Sequence, residues 1–106
     1  MPKYLFQVNY TLDGIKGVVA HGGSAREKAV REAAESAGGR IESFHFAFGS
    51  TDVFVIADLP SDVAAASLVL SVSAGGGATV KTTALLTPAE IDTAAGSNVR
   101  YRPPGS

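Results

Sequence analysis

Glycine clusters at 22–23, 38–39 and 75–77 cut the chain into blocks, and inside those blocks the hydrophobic period switches between two residues and about 3.6. Lys3 to Tyr10 alternates, with Tyr4, Phe6, Val8 and Tyr10 on one side and Lys3, Leu5, Gln7 and Asn9 on the other, which predicts a strand. Thr11 is placed to cap a short helix over Leu12 to Ala20, weakened by Gly14 and Gly17 and ended by Gly22-Gly23. Ser24 and Glu27 have capping-box spacing for a second helix. Its apolar stripe is read as Ala25, Ala29, Val30, Ala33, Ala34 and Ala37, with Arg26, Lys28, Arg31 and Glu35 elsewhere and Gly38-Gly39 as the stop.

Arg40 to Phe48 alternates again, Phe44, Phe46 and Phe48 opposing Ile41, Ser43, His45 and Ala47. Gly49-Ser50 marks a turn into a strand from Val53 to Leu59, so these two strands form an antiparallel hairpin. Pro60-Ser61-Asp62 opens an alanine- and leucine-rich helix to about Ser73, and Gly75 to Gly77 closes it before a strand from Ala78 to Leu86. The order β-α-β-β-α-β is the split βαβ plan of an α+β, ferredoxin-like domain, an antiparallel sheet with helices on one face. Thr87, Pro88 and Glu90 start a short last helix that ends near Gly96. We therefore expect one domain over residues 1–96 and a flexible tail over 97–106.

A chain of 106 residues supports one core. Its 45% hydrophobic and 18% charged content is apolar for this size and points to surface hidden by self-association. Nine basic and ten acidic residues are spread without runs, so neither nucleic acid nor a membrane surface is expected as a partner. The absence of cysteine excludes disulfides, thiolate metal sites and a cysteine nucleophile. The first residues enter a strand pattern with no apolar leader, and the most apolar window, Val63 to Val72, is far shorter than the ~20 residues of a membrane-spanning helix. A cytoplasmic protein is the expectation.

With a tight turn at 49–50, parity puts His45 on the sheet face of Asp52, Phe54 and Ile56, opposite Phe44, Phe46, Val53 and Val55. The second set is the expected helix-covered core. The first would show Phe54 and Ile56 to water, and a second copy of the sheet is the simplest cover.

The stretches Tyr10-Thr11-Leu12-Asp13-Gly14, Gly38-Gly39-Arg40, Phe46 to Asp52 and Leu85-Leu86-Thr87-Pro88-Ala89-Glu90 resemble the GYD family of small bacterial proteins, over Pro2 to about Ala94. The resemblance implies a homodimer of the dimeric α/β-barrel group, whose members include cofactor-independent oxygenases, isomerases, haem enzymes and small-molecule sensing modules. Thr51 stands where the family pattern has a tyrosine before the aspartate, and His45 where an aromatic is common.

Among single residues, His45 in mid-strand is the best catalytic candidate, as general base or ligand; its other reading is a replacement aromatic that hydrogen-bonds across a dimer. Asp52 shares its parity and is a candidate to orient it, or else a turn residue bonded to backbone amides. Gln7 and Asn9 are candidate hydrogen-bonding groups for a carbonyl or quinone oxygen, and equally able to satisfy one another. Tyr10 and Lys16, near the first helix, suit an anionic ligand or simple cap packing. His21 beside Gly22-Gly23 is explained by the helix dipole. The ligand-binding set is thus Gln7, Asn9, Tyr10 and His45. No phosphate-binding glycine pattern and no G-x-S-x-G elbow occurs, and no cofactor or metal is expected.

Three functions compete on these residues. A non-catalytic, accessory homodimer would bind a small apolar or phenolic molecule in a pocket between sheet and helices. A cofactor-independent oxygenase or isomerase would use His45 as proton acceptor. A purely structural self-association module would have its cavity filled by side chains.

Overall fold

The computed structural model describes residues 1–105. Its elements run β1 (Lys3–Tyr10), α1 (Leu12–His21), α2 (Gly23–Ser36), β2 (Arg40–Phe46), β3 (Val53–Asp58), α3 (Asp62–Ala74), β4 (Ala78–Leu85) and α4 (Pro88–Ala95). The four strands form one antiparallel sheet in the order β2-β3-β1-β4. The two central strands carry the alternation most strictly because each is paired on both sides.

The core lies between the sheet and α2 and α3. Tyr4 and Phe6 from β1, Val53, Val55 and Ala57 from β3, and Ala34, Ala65 and Leu68 from the helices are buried together. Each large apolar side chain removed from water here contributes about 1.5–3 kcal/mol. Ser61 caps α3 by accepting from the Ala64 amide, and at Thr87–Glu90 both reciprocal bonds of a capping box are formed. Helix α4 nevertheless buries no residue, and the molecule extends to 58 Å.

Several expectations are corrected. The dimeric α/β barrel is overturned: the sheet is open and uncurled, with β2 and β4 as its edges, and it closes into no barrel. What stands is the α+β arrangement of one sheet with helices on one face. The Ser24–Glu27 capping box is not formed. Gly22, at φ 86°, is at once the cap that ends α1 and the residue from which α2 starts, so Ser24 already lies inside the first turn of α2. Only glycine adopts that backbone angle without strain. In β2 the pairing register shifts between Ile41 and Ser43, a bulge at Glu42. Ile41 therefore turns into the core at 7% exposure, with Phe44 rather than with Ser43 and His45. The strand ends at Phe46, and Phe48 projects fully into solvent from the 47–52 loop. Of the expected tail, residues 97–105 carry no helix or strand, and residue 106 lies outside the described residues.

Gly14 has a role beyond weakening α1. A Cβ there would run into the backbone carbonyl of Gly77, so its absence lets α1 lie against the entry to β4. Thr11 fastens the same junction, its amide donating to Gly77 O at 3.0 Å and its hydroxyl to Gly76 O at 2.8 Å.

Candidate functional site

Helix α2 packs over β2 and α3 over β4, which leaves a cleft above the two central strands. Phe6, Val8 and Tyr10 of β1 and Val53 and Val55 of β3 form its floor. The α2 wall is built from Ala29, Val30 and Ala33, whose short side chains do not reach across to the α3 wall of Leu68, Val69 and Val72. The cleft measures about 360 Å³, within the usual size of small-molecule sites. At one end Tyr10 lies 6.5 Å from the ring of Phe46, which meets Phe44 edge-on at 5.4 Å.

Among the described residues only three lining side chains are polar: Tyr10, Ser71 and Arg26. Burial raises the Tyr10 phenol above its ordinary value, the Arg26 charge opposes this and the Asp52 charge adds to it. The phenol keeps its proton at neutral pH and is a hydrogen-bond donor. The expectation that Arg26 lies outside the α2 stripe is corrected. Positions 26, 29, 30 and 33 follow helical i, i+3, i+4, i+7 spacing, so Arg26 sits on the cleft face, whereas Ala25 is exposed. The signal was a single charge inside an apolar stripe.

The other candidates are elsewhere. Gln7 and His45 flank Phe54 in one row across the open sheet face, as the register pairs Gln7 with Phe54 and Phe54 with His45. The His45 side chain is exposed and makes no hydrogen bond among the described residues. Asp52 does not orient it. The Asp52 carboxylate accepts from the Tyr10 amide at 2.8 Å, and the Asp52 amide donates to Asn9 Oδ1 at 3.1 Å and to Val8 O at 3.0 Å. Asn9 and Asp52 thus tie the 47–52 loop to β1. Lys16 is exposed on α1, and His21 lies in the last turn of that helix. Among the described residues no group of three or more histidines and carboxylates is arranged to hold a metal, and no helix is long and apolar enough to cross a membrane.

At the far end of the open face stands a charged network that no sequence pattern announced. Lys3 Nζ bonds Asp58 Oδ1 at 2.8 Å and Glu42 Oε1 at 3.1 Å, and Arg40 Nε bonds Asp58 Oδ2 at 3.2 Å. Asp58 is only 5% exposed, and the hydrogen bond from Lys3 holds its carboxyl below the ordinary value, against the effect of burial. All its oxygens are engaged, so it fastens β1, β2 and β3 together rather than offering chemistry. On the covered face Tyr4 donates its hydroxyl to Asp62 at the start of α3.

The model of the GYD domain family matches residues 4–95. No curated protein and no solved structure shows significant similarity to the chain.

Proposed function

The chain belongs to the GYD domain family, and from that premise we propose that it is a small-molecule-binding accessory domain that holds an apolar ligand between its sheet and its helices and acts as a homodimer. The observation that carries this reading is the cleft of about 360 Å³, floored and walled by aliphatic and aromatic side chains with three polar ones. A purely structural module would fill that space, because packed interiors leave few voids larger than a water molecule. The catalytic alternative, with His45 as base, has less support: His45 lies on the sheet face away from the cleft, and Asp52 is committed to the Tyr10 amide.

The homodimer is supported by the open face. Phe54 is 38% exposed there, and Leu5 and Ile56 lie beside it in the next cross-strand row. A second copy laid on this face would take that apolar surface out of water.

The test of ligand binding is an amide and methyl NMR titration of the full chain with 1-octanol as a neutral apolar probe. Shifts concentrated at Val30, Val69, Val72 and Val80 are expected. No saturable shift, or shifts confined to Leu5, Phe54 and Ile56, would remove the cleft as the binding site.

A further inference from the structure

Among the described residues Arg26 is the one ionised side chain lining the cleft, and no carboxylate lines it. Five residues further along α2, Arg31 is held by Glu27 and by the carbonyl of Ile41, as a structural arginine usually is. Arg26 makes no ion pair and no side-chain hydrogen bond among the described residues. Its position at the head of the stripe formed with Ala29, Val30 and Ala33 directs its stem along the apolar wall and leaves the charge at the rim. Tyr10 brings a half-buried hydroxyl, unbonded among the described residues, to the same cleft. The nearby Asp52 carboxylate is already bonded to the Tyr10 amide. An apolar trough with one cation and one phenolic donor is complementary to an amphiphile with one negative charge.

Building on the cleft as the ligand site, we infer that it selects a small monocarboxylate with an apolar chain or ring, the carboxylate held by Arg26 and the Tyr10 hydroxyl and the hydrocarbon laid over Phe6, Val30 and Val72. The planar guanidinium presents paired donors that match a carboxylate's two oxygens. One cation balances one negative charge, whereas a phosphate monoester would bring nearly two.

The experiment is isothermal titration calorimetry of octanoate and 1-octanol, equal in chain length and different in charge, into the full chain and its Arg26→Gln and Tyr10→Phe variants at pH 7.5. Octanoate is expected to bind roughly tenfold tighter than octanol. Arg26→Gln, at an exposed position outside the core, should bring octanoate to the level of octanol measured on the same variant. Tyr10→Phe should weaken octanoate by a smaller factor, about threefold. Equal binding of the two probes to the unaltered protein overturns the carboxylate selection while leaving the cleft as a ligand site. Tighter octanoate binding that survives Arg26→Gln overturns the assignment to Arg26. Binding of neither probe overturns both this inference and the reading on which it rests.

Discussion

The two faces of the central strand β1 are made from alternate residues of one eight-residue segment, yet they solve different problems. Tyr4, Phe6, Val8 and Tyr10 face α2 and α3, where packing is complete at the Tyr4 end and fails at the Tyr10 end, leaving the cleft. Lys3, Leu5, Gln7 and Asn9 face outward, where an apolar patch with Phe54 and Ile56 lies between the Lys3–Asp58–Arg40 network and the Asn9–Asp52 contact. The comparison separates polarity from enclosure. Titratable side chains gather on the open face, while the space able to enclose a ligand is on the other.

The largest effect should come from the covered face. Phe6→Ala removes a buried ring that also floors the cleft, and we expect a loss of about 3–5 kcal/mol in urea unfolding. A loss below about 1 kcal/mol would mean that the covered face is not the main core. On the open face, Phe54→Asp places a charge in the apolar patch. Analytical ultracentrifugation should then show subunit affinity weakened at least tenfold, on the order of 1.4 kcal/mol or more, with the fold retained. A protein that sediments as a monomer before the substitution would end the homodimer reading.

The charged network gives the next effect. Asp58→Asn should cost about 1–2 kcal/mol at pH 7, moderated because Lys3 and Arg40 are exposed enough to regain water. The folded-state pKa of Asp58 lies below the unfolded value of about 3.9, so its contribution is complete above that value and is lost as pH falls through the folded one. The stabilities of the two proteins should therefore differ at pH 7 and begin to converge below about pH 3.9. A difference that stays constant to pH 2 would show that packing, not charge, fastens the three strands. The smallest effect is expected at His45. Because its imidazole makes no hydrogen bond among the described residues and is exposed, His45→Ala should change monomer stability by less than about 0.5 kcal/mol and leave octanol binding unchanged. A loss of ligand affinity there would shift the site to the open face.

Local chemistry was legible in the sequence and relations between distant segments were not. The Ser61 start of α3 and the Thr87–Glu90 capping box depend on residues within one turn of each other, and both are formed. The bulge at Glu42 depends on which residues of β3 lie opposite, and it moved Ile41 to the other face. The Ser24 start yielded to Gly22 because a positive backbone angle let α2 begin earlier. Of the four candidate ligand-binding residues, Tyr10 lines the cleft, whereas Gln7, Asn9 and His45 share parity with one another on the open face. Arg26 was readable from helical spacing alone, but the volume beside it was not. That volume exists because Ala29 and Ala33 on one helix face Val69 and Val72 on another, a pairing that no local pattern specifies.

The shared glycine between α1 and α2 restricts how sequences of this design can diverge. Because Gly22 closes one helix and opens the next, the junction has no slack to absorb a change in chain length. One extra residue in the first turn of α2, inserted after Arg26, would rotate the remainder of the helix by about 100° relative to that arginine. Arg26 would then leave the stripe it shares with Ala29, Val30 and Ala33. The loop between residues 48 and 51 has the room that this junction lacks, since Phe48 stands in solvent and a side chain at Gly49 would meet nothing. That same loop is where a fluorophore or an affinity tag can be grafted without touching either face of the sheet.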